Sequence, residues 1–191
     1  SPPVIPTDEK VPLIVPDPMN PRYSYGSGKI ISEIMSLNYG RHLFDRMMIF
    51  RPHNVYGPDM GWQHVIPEFF VKMKELSEEV AGVIAFPIQG TGRETRSFIF
   101  IDDFIEGLNW VFEKGEHLNV YHIGTKDEIQ IGELAQKIGK VFGREIQIIA
   151  AAEAAGATKR RCPDIRKIEK LGFAPRVTLD DGLRTFGGWY I

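Results

Sequence analysis

The sequence predicts an α/β fold, and three observations carry that prediction. Short apolar runs bounded by turn residues alternate with segments of helical periodicity along most of the 191 residues. The first run, Met47-Met48-Ile49-Phe50, is continuous rather than alternating, as in a strand buried on both faces of a parallel sheet. No internal repeat interrupts the order.

The elements follow in sequence. The first 22 residues hold seven prolines, which fix φ and remove backbone donors, so helix and central strand are excluded there. An opening this long without structure suits an internal loop better than a natural start. Residues 25–40 read as a helix and 47–50 as a strand, followed by the turn cluster of residues 51–59. Residues 64–79 form a second helix, with Pro67 tolerated in its first turn. A strand over 83–88 turns at Gly90-Thr91-Gly92, and a short extended piece spans 98–101. Asp102 or Asp103 can cap a helix running to residue 114. A strand over 119–123 ends at Gly124. Ile131, Leu134, Ile138, Val141 and Phe142 recur at spacings of three and four, an amphipathic helix stopped by Gly143. Residues 146–149 read as a strand, 150–157 as a mobile alanine- and glycine-rich loop, and 164–171 as a short helix. Thr178 with Asp181 three residues on resembles a capping box that opens a last helix over 179–189.

Composition excludes several classes. The chain is 43% hydrophobic and 25% charged, enough for a core. Its 23 basic and 25 acidic residues are interspersed and leave a net charge of −2, so there is no footprint for nucleic acid or an anionic membrane. The longest apolar run, residues 80–88, cannot span a bilayer and is broken by Gly82 and Pro87. Residues 1–10 show no signal-peptide pattern. The single cysteine, Cys162, excludes an intramolecular disulfide and fits a reducing compartment, with the cytoplasm as the expected location. No cysteine/histidine spacing supports a metal site.

Tyr25 and Lys29 are spaced i, i+4, on one helix face. A tyrosine ordinarily titrates near pH 10, too weak a base at neutrality. A cation beside it favours the phenolate, so the pair can take a proton from a hydroxyl while hydride leaves its carbon. Gly26 and Gly28 cost helix stability and allow close approach. The spacing by itself does not identify an enzyme.

Further blocks do. Tyr25-Gly26-Ser27-Gly28-Lys29-Ile30-Ile31-Ser32-Glu33 is followed by Arg51-Pro52-His53-Asn54-Val55-Tyr56-Gly57-Pro58 and by Gly90-Thr91-Gly92-Arg93-Glu94-Thr95-Arg96-Ser97-Phe98 with Ile101-Asp102-Asp103. Val120-Tyr121-His122-Ile123-Gly124, Arg160-Arg161-Cys162-Pro163-Asp164 and Leu171-Gly172-Phe173-Ala174-Pro175 complete six blocks. Their order resembles the C-terminal part of the extended short-chain dehydrogenase/reductases that act as NAD-dependent nucleotide-sugar epimerases and dehydratases. Gly28 stands where the family has serine, and His122 where it has asparagine. The family's Gly-x-x-Gly-x-x-Gly turn does not occur in the sequence, nor does the serine or threonine that completes its Ser-Tyr-Lys set. Roughly 110 to 130 residues of a dinucleotide-binding region are expected upstream.

The resemblance implies a partial Rossmann-type parallel sheet plus a small α/β substrate-binding domain. Residues 1–53 would close the dinucleotide-binding region; 54–191 would mainly bind a nucleotide-sugar, with 96–125 returning to the Rossmann sheet. It implies Tyr25 as catalytic acid/base, with Lys29 holding the nicotinamide ribose. Pro52 and Val55 would lie near the nicotinamide of NAD, or of NADP as the alternative. Asn54, Arg96 and Arg161 would contact the substrate diphosphate, a task suited to the guanidinium fork. His64 and Val65, at a helix N-terminus, would meet the diphosphate or base, and Ile88 and Gln89 would flank the base. A 4-epimerase is the leading activity, with a 4,6-dehydratase, a decarboxylase or a non-catalytic nucleotide-sugar-binding fragment as alternatives. The chain alone is expected to show no turnover, and the intact enzyme to be a homodimer. Asp102, Asp103, His53, His122 and Cys162 are read as structural.

Overall fold

In a computed structural model, which describes residues 2–152 and 158–190, strands and helices alternate as α/β. The order is α1 (Ser24–Leu43), β1 (Met48–Pro52), β2 (Val55–Tyr56), α2 (Val65–Glu79), β3 (Ile84–Ile88), β4 (Thr95–Ser97), β5 (Ile99–Phe100), α3 (Ile101–Lys114), β6 (Asn119–Ile123), β7 (Glu128–Gln130), α4 (Ile131–Val141), β8 (Ile146–Ala150), β9 (Arg160–Arg161), α5 (Arg166–Glu169) and α6 (Leu179–Tyr190). The expected proline-rich opening carries no helix or strand up to a 3-10 turn at Pro21–Tyr23, apart from a bridge from Thr7 to Pro163. Of the loop expected over 150–157, Ala150 belongs to β8 and residues 153–157 lie outside the described residues.

Among the described residues the strands form four small sheets. Three are parallel pairs, β1 with β6, β2 with β5 and β3 with β8; the fourth is β7-β4-β9, antiparallel then parallel. Among the described residues β1 pairs only with β6, which leaves its other edge without a strand partner. On β6 the outer edge is closed by side chains instead. Glu9 Oε1 accepts the His122 N–H at 3.0 Å, and Lys167 Nζ donates to the Val120 carbonyl at 2.8 Å. Residues two apart on a strand present their polar groups to the same side, which is why one edge needs both partners.

Two apolar clusters hold the elements. One joins α2, β3, α4 and α6 through Phe69, Phe70, Phe86, Leu134, Leu183 and Phe186. The other joins α3, β6 and α5 through Val111, Tyr121, Ile123, Ile165, Ile168 and Phe173. Arg144 closes the first from below, its guanidinium donating to the carbonyls of Ser77 at 2.9 Å, Gly82 at 3.1 Å and Val80 beyond the end of α2. Such bonds occupy acceptors that a helix C-terminus leaves unpaired.

The helix cap expected of Asp102 or Asp103 does not form: Phe100 is the N-cap of α3 and makes no side-chain bond. Asp103 is buried, and its Oδ2 accepts the backbone N–H groups of Arg176 and Val177 at 2.9 and 2.8 Å. Two backbone donors on the approach to α6 need acceptors, and one buried carboxylate satisfies both. The Thr178–Asp181 cap does form, with the Asp181 N–H donating to Thr178 Oγ1 at 3.2 Å.

Candidate active site

α1 contributes the tyrosine and lysine. Its partly buried stripe runs through Ser27, Ile30, Glu33 and Leu37 to the buried Gly40. A Cβ at Gly40 would stand 3.2 Å from Leu118 Cδ2 and 3.3 Å from Met47 Cβ, so glycine lets α1 lie close to the chain just before β1 and β6. Tyr25 and Lys29 lie beside this stripe, both exposed, with Lys29 Nζ 5.4 Å from the Tyr25 ring centroid. The residues that share a face in the sequence therefore share one in the structure.

The helix is seated by an ion pair that the motifs contain but whose role the spacing did not reveal. Arg51 on β1 grips Glu33 with two parallel bonds, Nε to Oε2 at 3.0 Å and Nη2 to Oε1 at 2.6 Å. Both side chains are mostly shielded, at 20% and 13% exposure. Planar guanidinium–carboxylate pairs of this kind fix orientation as well as distance. Glu33 stands one turn from Lys29, so the clamp sets how the Tyr25–Lys29 face lies against β1.

Beyond Arg51, Pro52 ends β1 exposed, and Asn54 turns the chain at φ 44°, a left-handed conformation that asparagine tolerates. Asn54 Nδ2 donates to the Ser97 carbonyl at 2.7 Å, tying this turn to β4, and Val55 is half-buried in β2. Between them the His53 and His122 rings meet edge to face, centroids 4.6 Å apart. Burial, then His122, Arg51 and Arg161, push the His53 pKa down from 6.5 to about 3. Burial also lowers that of His122. An Arg51 Nη1 stands 3.3 Å from His122 Nε2 and can only donate, which leaves that nitrogen as acceptor and the ring proton on Nδ1. Both histidines are internal neutral groups, in agreement with their structural reading.

The arginines converge. Arg96 on β4 and Arg161 on β9 are partners in the parallel register. Arg96 donates to the carbonyls of Thr95 and Thr158, each at 2.7 Å, and Arg161 Nη2 donates to Thr158 Oγ1 at 3.0 Å. Thr158, which sequence reasoning missed, thus orients both guanidinium groups. Burial and the adjacent Arg161 charge both disfavour the Arg96 cation. Like charges opposed on neighbouring strands are destabilising; the Glu94 carboxylate offsets part of this at Arg96, and a further anion would relieve more of it.

The remaining candidates separate. His64 is the exposed N-cap of α2, while Val65 packs against the larger core. Gln89 is exposed, but the Ile88 side chain is fully buried, because β3 alternates with Ala85 and Pro87 outward and Ile84, Phe86 and Ile88 inward. Only the backbone of Ile88 could border a base. Two clefts, of about 690 Å³ between α4 and α6 and about 230 Å³ beside Trp62 and Tyr190, touch none of the candidate residues. Tyr25 and Arg161 are exposed, whereas Arg96 is half-buried.

A Cβ at Gly26 or Gly28 would meet nothing within 4 Å, so the helix face beside the Tyr25 hydroxyl and the Lys29 ammonium is unobstructed. Among the described residues no cluster of histidine, cysteine, aspartate and glutamate could hold a metal, and no helix is long and apolar enough to cross a membrane.

The chain is a Rossmann-like α/β protein of the extended short-chain dehydrogenase/reductase type. Its residues 2–124 match the model of the NAD dependent epimerase/dehydratase family, and the chain belongs to that family. It is 32% identical over 175 residues to a trifunctional UDP-glucose 4,6-dehydratase/UDP-4-keto-6-deoxy-D-glucose 3,5-epimerase/UDP-4-keto-L-rhamnose-reductase of Arabidopsis thaliana, covering 91% of this chain and 25% of that protein. It is 30% identical to GDP-mannose 3,5-epimerase 1 of Oryza sativa subsp. indica, covering 90% of this chain and 45% of the relative. Among solved structures, a double mutant of dTDP-glucose 4,6-dehydratase from Streptomyces venezuelae with NAD bound superposes with a TM-score of 0.78 at 28% identity, over 96% of this chain and 54% of that one. The chain thus spans a quarter to about half the length of these proteins.

Proposed function

We propose that this chain carries the acid/base pair and the nucleotide-sugar anchor of an NAD-dependent nucleotide-sugar epimerase of the 4-epimerase type, with NADP as the alternative cofactor. The observation that carries this reading is the Arg96–Arg161 pairing, two guanidinium groups oriented by one threonine and suited to a diphosphate. Residues 1–53 would close the dinucleotide-binding region and 54–191 would mainly hold the substrate, with 96–125 returning to the first.

Tyr25 takes the proton of a sugar hydroxyl as hydride leaves the same carbon, and returns it once the opposite face is presented. NAD, when bound, supplies the hydride acceptor. Lys29, one turn along the helix, holds the nicotinamide ribose beside Tyr25. Pro52 and Val55 border the nicotinamide, and Asn54, Arg96 and Arg161 fix the diphosphate, with the N-terminus of α2 at His64 and Val65 near it. Gln89 flanks the base. The Tyr-Gly-x-x-Lys form supports epimerisation. The 28% identity to a 4,6-dehydratase favours dehydration as the second reading, and decarboxylation would share the same first oxidation.

Incubation of the catalytically competent protein with NAD and UDP-, dTDP-, GDP- or CDP-linked hexoses, followed by proton NMR of the sugar, distinguishes these readings, and nucleotide-sugar binding is read on this chain alone. A C4 epimer supports the proposal, a 4-keto-6-deoxy sugar the dehydratase, and a pentose the decarboxylase. Absence of binding to all four nucleotide-sugars would overturn the family of readings.

A further inference from the structure

The proline-rich segment before α1 has few anchors, and they sit in consequential places. Val4, Leu13, Ile14 and Met19 are exposed, so little apolar burial holds residues 2–20 down. Segments with so little burial sit at the low end of local stability, and their few polar anchors decide where they lie. Thr7 supplies the first: its N–H donates to the Cys162 carbonyl at 2.9 Å and its carbonyl accepts the Asp164 N–H at 2.8 Å. That contact lies immediately after Arg161. Asp8 then folds the backbone, Oδ1 accepting the N–H groups of Lys10 and Val11 at 3.0 and 3.2 Å.

Glu9 supplies the second anchor and reaches two strands. Its carboxylate accepts the His122 N–H on the outer edge of β6 at 3.0 Å, and its carbonyl accepts from Arg51 Nη1 at 3.5 Å. The same Arg51 holds Glu33 of α1. A continuous path of polar contacts therefore runs from the strand bearing Arg161, through Thr7 and Glu9, to Arg51 and the helix bearing Tyr25 and Lys29. Edge capping alone would need only the carboxylate on His122; the added contact to Arg51 joins the segment to the clamp.

We propose that Glu9 is a positioning residue, which through Arg51 and Glu33 fixes the seat of the Tyr25 helix and joins it to the segment pinned beside Arg161. The catalytic meaning of this seat rests on the reading of Tyr25 given above. Glu9 touches no reacting group; it acts through the clamp.

Hydrogen–deuterium exchange on the 191-residue chain tests it. In Glu9→Ala the backbone carbonyl that meets Arg51 remains but loses the carboxylate that pins it beside β6, so exchange at the His122 amide and, through the loosened Arg51 clamp, in α1 accelerates roughly tenfold, while α2 and α4 keep their wild-type rates. Glu9→Gln retains an oxygen for the His122 N–H and restores protection there and in α1. Unchanged exchange in α1, an equal rise throughout the chain, or failure of glutamine to rescue overturns the proposal. UDP affinity measured on the same samples reads the functional proposal separately. A wild-type chain that ignores UDP sinks the diphosphate reading, whereas the exchange pattern alone decides whether Glu9 seats the helix.

Discussion

Arg96 and Arg161 stand opposite one another on adjacent parallel strands, and both guanidinium groups take an oxygen of Thr158. Two permanent cations in this register repel each other, and at Arg96 the Glu94 charge offsets only part of that repulsion. A dianionic group between them would offset the rest. Being partly open, the pair is subject to ionic screening, so the affinity for a diphosphate falls with added salt.

Tyr25 is exposed and packs on nothing that the fold requires. Tyr25→Phe should therefore leave the urea midpoint and the nucleotide-sugar affinity unchanged. In the catalytically competent protein it should lower kcat by about 10² to 10⁴, the usual share of a positioned acid/base. Paired measurement of kcat and binding checks this, and a loss confined to binding would contradict the role.

The Arg51–Glu33 clamp is a shielded pair, so removal of one partner strands the other. Glu33→Ala or Arg51→Ala should each cost about 3 kcal/mol, the lower end of what breaking a buried pair costs. The double variant should recover part of that loss. Urea denaturation of the three variants gives the coupling energy, and simple additivity would rule out the clamp as a stabilising unit.

The buried histidines make stability fall with acid. Folded His53 accepts its proton only near pH 3, whereas an unfolded histidine accepts it near 6.5. Between those values the unfolded chain binds more protons, so stability rises with pH and is lost on acidification, by at most about 1.4 kcal/mol per pH unit for this group. His122 shifts in the same direction. Denaturation midpoints of wild type and His53→Phe should diverge as pH falls from about 7 to about 5, with the shallower slope in the variant. Parallel profiles would contradict it.

The long elements were legible in the sequence because their periods are. The 119–123 strand was read with the bounds it has, and α1 and α2 within a few residues. β2, β4, β7 and β9 were not, since two or three residues carry no period. The pairing of Arg96 with Arg161 depends on the register of two such strands, so the motifs could name both residues but not bring them together. Ile88 is a different case: the alternation Ile84-Ala85-Phe86-Pro87-Ile88 already points it inward with Phe86, and the motif position obscured that. Asp103 was misread as a cap because its partners, Arg176 and Val177, lie far along the chain. Glu33 and Arg51 stood in the motif blocks without a role, because an ion pair between helix and strand leaves no local pattern.

Calorimetric titration of UDP-glucose into wild type, Arg96→Ala and Arg161→Ala tests the central claim most directly. The account predicts binding to the wild type and a loss of roughly tenfold or more in each variant, as for deletion of a charge-assisted contact. Wild-type affinity in both variants would contradict it.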